Sequence, residues 1–67
     1  MEINKMVVKL GKEYYTGYYW IEATKNGKRD IYISYEGIRK KQSVKLEQWS
    51  GQKKIAEEMF YKLLNEL

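Results

Sequence analysis

The tetrapeptide Lys25-Asn26-Gly27-Lys28 is the strongest local structural signal in the chain. An Asn-Gly pair between alternating apolar residues predicts a tight β-hairpin, because both residue types accept the positive φ that such a turn requires. Strand-like runs rich in aromatic and β-branched residues lie on both sides, from Tyr18 to Ala23 and from Asp30 to Tyr35. The centre of the fold is therefore predicted to be an antiparallel sheet.

Two loop lengths are compatible with this turn, and they place different residues opposite each other. A two-residue loop pairs Glu22 with Ile31 and puts a carboxylate on the apolar face. A three-residue loop, with Gly27 in the left-handed conformation, pairs Ile21 with Ile31 instead. We expect the three-residue loop, since it keeps one face apolar, although Glu22 then faces Asp30 at a cost of up to about 1 kcal/mol. The predicted apolar face comprises Ile21, Ala23, Ile31, Ile33, Val44 and Leu46.

Further strands are predicted on both sides of this hairpin. Glu36-Gly37 forms a second turn that leads into an alternating run from Arg39 to Leu46. Before the hairpin, Met6 to Leu10 has the composition of a short strand closed by Gly11-Lys12. The predicted fold class is α+β, with a three-stranded antiparallel sheet over residues 18–46. The sheet has four strands if residues 1–17, otherwise an N-terminal extension, add one.

Residues 50–67 are predicted to form one amphipathic helix that covers the apolar face of the sheet. Ser50 is a plausible N-cap. Lys53 and Lys54 fall in the first turn, where the helix dipole disfavours cations, so we expect packing of Trp49 to hold that end. The apolar residues at helical spacing are Ile55, Ala56, Met59, Phe60, Leu63, Leu64 and Leu67.

The composition excludes the commonest kinds of catalytic and metal site. The chain has 67 residues, which corresponds to a single domain, and it contains neither cysteine nor histidine. Thiolate or imidazole ligands for zinc and Ser-His or Cys-His nucleophiles are therefore excluded. Glu57 and Glu58 are adjacent on the helix, so their carboxylates do not converge on one point. We expect a cytoplasmic, non-catalytic protein without a cofactor and without a membrane-spanning segment.

The positive charge lies in the predicted sheet region. The net charge is +4, and residues 14–49 carry seven basic side chains against four acidic ones. Such an excess suits a polyanion, although a solubilising surface would have the same composition. Eleven of the thirteen basic residues are lysine, which favours salt-dependent binding with few base-specific contacts.

The face of the sheet away from the helix combines aromatic, cationic and hydroxyl side chains, a combination typical of nucleic-acid surfaces. Lys25 and Lys28 are expected at one hairpin tip, and Arg39 and Lys40 near the other. Tyrosine and tryptophan are also simply good strand residues, which is the alternative explanation for part of this pattern. The candidate DNA contacts are Tyr18, Trp20, Lys25, Lys28, Tyr32, Ser34, Arg39, Lys40, Lys41, Ser43 and Lys45.

The order of these motifs resembles the arm-type DNA-binding domain of tyrosine recombinases, the integrases of phages and conjugative transposons. The matching segments are Trp20-Ile21-Glu22, Lys25-Asn26-Gly27-Lys28, Tyr35, Ser43-Val44-Lys45-Leu46-Glu47, and a helix with Ala56 and closing leucines. The resemblance covers about residues 18–67. It implies a three-stranded sheet on one helix, laid into the major groove of duplex DNA. The middle strand departs from the family pattern, with Tyr32 and Ser34 where such domains often carry arginine.

Two alternatives follow from the same features. Four strands followed by a helix, with Leu46-Glu47-Gln48-Trp49-Ser50 at the junction, are similar to the transcriptional-coactivator fold that binds single-stranded DNA as a dimer. The exposed aromatic face would also suit a small phage or mobile-element protein that binds and inhibits a host protein. The oligomeric state and the sequence specificity are left open by the sequence.

Overall fold

The computed structural model of the protein describes residues 2–45 and 51–67. Four antiparallel strands lie in sequential order in one sheet, β1-β2-β3-β4, and a C-terminal helix covers one of its faces. The predicted α+β class is confirmed, and the sheet has the fourth strand that the sequence left open. The elements are β1 (Asn4–Leu10), β2 (Glu13–Ala23), β3 (Arg29–Tyr35), β4 (Ile38–Val44) and α1 (Gln52–Glu66).

The central hairpin has the predicted three-residue loop and register. Ile21 lies opposite Ile31, and Gly27 adopts a φ of 75°. Thr24 closes the loop: its backbone N–H donates to the Lys28 carbonyl oxygen at 2.9 Å, and its hydroxyl oxygen accepts from the Lys28 N–H at 3.1 Å. The register keeps both isoleucines on the apolar face, as the pattern required.

The hairpin between β3 and β4 turns through two residues whose φ angles are both positive. Tyr35 pairs with Ile38, and the loop residues Glu36 and Gly37 have φ of 47° and 82°. This is the arrangement of a type I′ turn, whose hand matches the twist of the flanking strands. Gly37 suits its position, whereas Glu36 carries a Cβ that disfavours the left-handed region.

Replacing Glu36 with asparagine is expected to stabilise the protein by about 0.5–1 kcal/mol, because asparagine tolerates this backbone conformation better than glutamate does. Urea denaturation of the variant measures the change. Glu36→Gln is the matched control, since it removes the charge without favouring positive φ, and its stability should stay close to wild type. Equal stabilities of the two variants would show that the turn is not strained at this position.

The core lies between α1 and the apolar face of the sheet. Tyr35 extends it towards the second turn, with its ring centroid 5.3 Å from that of Phe60 and 6.4 Å from that of Tyr15. Burial raises the pKa of the Tyr35 hydroxyl, and the nearby Glu36 carboxylate and Tyr15 raise it further. The buried core residues are Met6, Val8, Tyr19, Ile31, Ile33, Val44, Ala56, Phe60, Leu63 and Leu64.

Two residues predicted for the apolar surfaces are exposed, and a third lies outside the described residues. Ala23 is exposed, and it is the last residue of β2. Leu67 is the C-cap residue of α1 and is 68% exposed, so helical spacing alone overestimated the length of the buried stripe. Leu46 lies outside the described residues.

The helix begins without a side-chain cap. Gly51 is the N-cap residue, and the first turn contains no acidic residue, so Lys53 and Lys54 face the dipole as the sequence predicted. The expectations for Ser50 as N-cap and for Trp49 as a packing residue fall outside the described residues.

Candidate functional site

The sheet face opposite α1, called the open face below, is not covered by the helix. The pairing register defines which residues belong to the open face, because successive residues of each strand point alternately towards the core and away from it. Most of the predicted contact residues are brought together here. The open face comprises Lys5, Val7, Lys9, Tyr14, Thr16, Tyr18, Trp20, Glu22, Asp30, Tyr32, Ser34, Arg39, Lys41 and Ser43.

Cations occupy the two edge strands of the open face. Lys5 and Lys9 lie on β1, and Arg39 and Lys41 lie on β4. Three strand spacings separate these edges, a distance of about 14 Å. The two central strands contribute rings, hydroxyls and two carboxylates, so four cations stand against two acids and the net charge of the face is +2. The charge is therefore arranged as two positive borders around a mixed centre.

Trp20 forms a packed cluster on this face rather than a free ring. Its ring is stacked on Tyr32, with centroids 5.4 Å apart and planes inclined by 10°, and the Arg39 guanidinium carbon lies 5.5 Å from its centroid. The indole Nε1 donates to a carboxylate oxygen of Glu22 at 3.3 Å. Only 7% of Trp20 is exposed, so its prediction as an uncovered ring was wrong: same-face neighbours cover it, although the helix does not.

The arrangement makes Trp20 a platform for Arg39. A guanidinium stacks well on an aromatic face and keeps its N–H groups free for other partners. Ser34 pairs with Arg39 across the strands, and its small side chain leaves room for the arginine to reach towards Trp20 on β2. Arg39 is therefore held in a defined position on an otherwise lysine-rich edge.

The two carboxylates of the open face lie opposite each other, as the register predicted, and each accepts a hydrogen bond. Glu22 pairs with Asp30 across β2 and β3. The Ser43 hydroxyl donates to Asp30 Oδ1 at 2.7 Å, and Glu22 accepts from Trp20. These bonds offset part of the like-charge repulsion. The Ser43 hydroxyl proton is consequently already engaged, which weakens its prediction as a base contact.

Tyr14 and Tyr18 are the exposed rings of the open face. They are 68% and 46% exposed, and Lys9 Nζ lies 5.7 Å from the Tyr14 ring centroid. Sequence reasoning missed Lys5, Lys9 and Tyr14 because it left open whether residues 1–17 are an extension or add a strand to the sheet. The available signal was the alternation in β1, where Met6 and Val8 are apolar and both neighbouring lysines point the other way.

The five predicted lysines have different positions relative to this face. Lys41 pairs with Tyr32 and lies on the open face, whereas Lys40, which was predicted near the second hairpin tip, pairs with Ile33 and lies on the helix side. Strand alternation sends adjacent residues to opposite faces. Lys25 and Lys28 are exposed at the β2–β3 tip, and Lys45 is exposed just beyond the end of β4.

A shallow concavity of about 370 Å³ lies over the cluster around Trp20. Its floor is aromatic, and its rim carries a cation and a carboxylate. Such a surface can receive a planar polar group at its edge while its apolar floor excludes water. The lining residues are Ile3, Tyr18, Trp20, Glu22, Tyr32, Ser34 and Arg39.

Comparison of the chain with protein-family models, with curated proteins and with solved structures gave no match. Within residues 2–45 and 51–67, no helix has the length and apolar character needed to cross a membrane.

Proposed function

We propose that this protein binds duplex DNA with its open face. The observation that carries the proposal is the placement of cations on both edge strands, with rings and hydroxyls between them. Phosphates supply most of the affinity in protein–DNA complexes, and base edges supply the specificity. A face with positive borders and a polar aromatic centre matches both requirements.

The spacing of the edge strands is compatible with an open face that spans the major groove. The edge strands are about 14 Å apart, and the major groove is about 12 Å wide. Lysine and arginine side chains on β1 and β4 can therefore reach the phosphates on the two borders of the groove. Tyr32, Ser34 and Thr16, on the central strands, then face the base edges.

Fluorescence anisotropy with a labelled duplex across a salt series tests the proposal. If the four cations of the edge strands each neutralise one phosphate, the logarithm of the binding constant falls with the logarithm of the salt concentration with a slope of about −4. Absence of detectable binding at low salt would refute the proposal.

Arg39 is expected to provide most of the sequence discrimination. Arg39→Lys keeps the charge but loses the bidentate contact to guanine, so the preference for the best duplex over a random one should fall by about 1–3 kcal/mol. The best duplex is first selected from a random pool, and competition anisotropy then compares the two. Lys41→Arg is the control, and its discrimination should not decrease.

Binding of single-stranded DNA is the second candidate function. The exposed rings of Tyr14 and Tyr18, beside Lys9 and Lys5, favour it, because unpaired bases stack on such rings with about 1–3 kcal/mol per base. The same assay with a single strand of equal length separates the candidates. Tighter single-strand binding that is lost in Tyr14→Ala and Tyr18→Ala would replace the duplex proposal.

A further inference from the structure

A groove of about 210 Å³ lies on the helix side of the sheet, between β4 and the second half of α1. Its floor is apolar, formed by Met59 and by Leu63, which is only 4% exposed. Its borders are cationic, with Lys40 from the sheet and Lys62 from the helix. The complete lining is Lys40, Lys41, Gln42, Met59, Lys62, Leu63 and Glu66, three lysines against one carboxylate. Of these lining residues, Lys41 is also a proposed DNA contact, because it lies on the open face at the edge of the sheet.

The groove runs beside an unpaired sheet edge. β4 is the last strand in the sheet, so among the described residues no strand pairs with its outer side. The N–H and C=O groups on that side can hydrogen-bond to an added strand, which is a common mode of peptide recognition. Side chains of an added strand alternate in direction, and every second one would point towards the helix, over the groove.

We propose that this edge binds an extended peptide segment of a partner protein, with an apolar side chain on Met59 and Leu63. Carboxylates two residues before and two residues after the apolar one would lie on the same side of the added strand, spaced about 6.8 Å from it along the strand. They would meet the ammonium groups of Lys40 and Lys62. The expected sequence motif of the partner segment is therefore an acidic residue, any residue, an apolar residue, any residue, and a second acidic residue.

The charge selects an acidic partner over a second copy of this chain. Both sheet edges are basic, with Lys5 and Lys9 on β1 and Arg39, Lys40 and Lys41 on β4. Pairing of any two of these edges would bring like charges together, a standard protection of edge strands against self-association. A strand with acidic side chains would instead be attracted electrostatically by the same lysine and arginine residues. The lysines thus exclude one class of strand and attract another.

The probe is a fluorescein-labelled peptide, Thr-Glu-Thr-Leu-Thr-Glu-Thr, which places leucine and both glutamates on one side of a strand. Its control is the isomer Thr-Glu-Leu-Thr-Thr-Glu-Thr, which has the same composition but points leucine to the opposite side. Anisotropy is measured with the full chain at low salt. The first peptide should bind at least about tenfold more tightly than its isomer, and amide chemical shifts should change mainly along β4.

Charge-reversal variants test the site itself. Lys40→Glu combined with Lys62→Glu should weaken binding of the first peptide by at least about tenfold. Lys53→Glu combined with Lys54→Glu changes the net charge equally from exposed positions in the first helical turn, and it should leave the affinity within about twofold of wild type.

Three results would overturn the inference: equal affinities of the two isomers, shifts that map to β1 and β2 and not to β4 and α1, or no binding at about 1 mM peptide, the weak end of measurable affinity. The inference does not depend on DNA binding. Duplex DNA bound to the open face should leave the amide shifts of Met59, Lys62 and Leu63 on α1 unchanged, whereas the peptide should change them, so each proposal can fail without the other.

Discussion

Gly17→Ala is expected to lower the free energy of unfolding by about 1–3 kcal/mol, the usual cost of overpacking a core. Gly17 lies in β2 opposite Met6, on the core side of the sheet. A Cβ at this position would lie 2.9 Å from Cζ and 3.0 Å from Cε2 of Phe60, and 3.2 Å from the backbone oxygen of Ser34. The ring can shift only against other core residues, and the backbone oxygen belongs to the sheet ladder, so neither contact relaxes cheaply.

The loss would be a large fraction of the total stability. A chain of 67 residues is expected to have a free energy of unfolding of roughly 3–10 kcal/mol. Thermal and urea denaturation measure it. Thr16→Ala is the control, because Thr16 is the exposed neighbour on the same strand and its truncation should cost only a few tenths of a kcal/mol.

A double-mutant cycle identifies the cause. Phe60→Leu alone leaves a cavity and destabilises the protein, but in that background Gly17→Ala should cost less than in the wild type, because the larger ring no longer occupies the space. Strict additivity of the two substitutions would show that contact with the Phe60 ring is not the source of the penalty.

Reversing the charge of one lysine on each edge strand is expected to reduce duplex affinity by at least about tenfold. The slope of the logarithm of the binding constant against the logarithm of the salt concentration should become less negative by about two. The variant is Lys5→Glu combined with Lys41→Glu. Both residues are exposed and lie on the open face, so the substitutions remove one phosphate contact at each border of the groove and add repulsion. Anisotropy at several salt concentrations measures both quantities.

Lys53→Glu combined with Lys54→Glu is the matched control. Each double variant changes the net charge from +4 to zero, since each lysine-to-glutamate substitution removes two charges. The control sites lie on the helix, away from the open face, and acids in a first helical turn are favoured by the dipole. Equal losses of affinity in the two variants would mean that total charge, and not the open face, governs binding.

Much of the sheet was predictable because its signals are local. The Asn26-Gly27 turn and the apolar alternation led to the correct loop length and register, including the pairing of Glu22 with Asp30. The helical spacing led to α1 with its buried Ala56, Phe60, Leu63 and Leu64. The same alternation placed Trp20, Tyr32 and Lys41 on one face, which the structure confirms.

Other features depend on residues that are distant in the sequence. The burial of Trp20 requires Tyr32 from the next strand and Arg39 from the strand beyond it. Lys40 was placed beside Arg39 because the two are neighbours in the chain, whereas the register of β4 sends them to opposite faces.

By itself, the sequence determined the central hairpin, the strand that follows it and the C-terminal helix, where the chain turns between these strands, and which side of the central hairpin is apolar. These properties follow from φ preferences and from side-chain periodicity, which involve only near neighbours in the chain. The tertiary structure alone decided that residues 4–10 complete the sheet, that Phe60 lies over Gly17, and that Trp20 is covered by its own face. Each of these features depends on contacts between side chains that are distant in the sequence, and only the packing of the folded chain brings those side chains together.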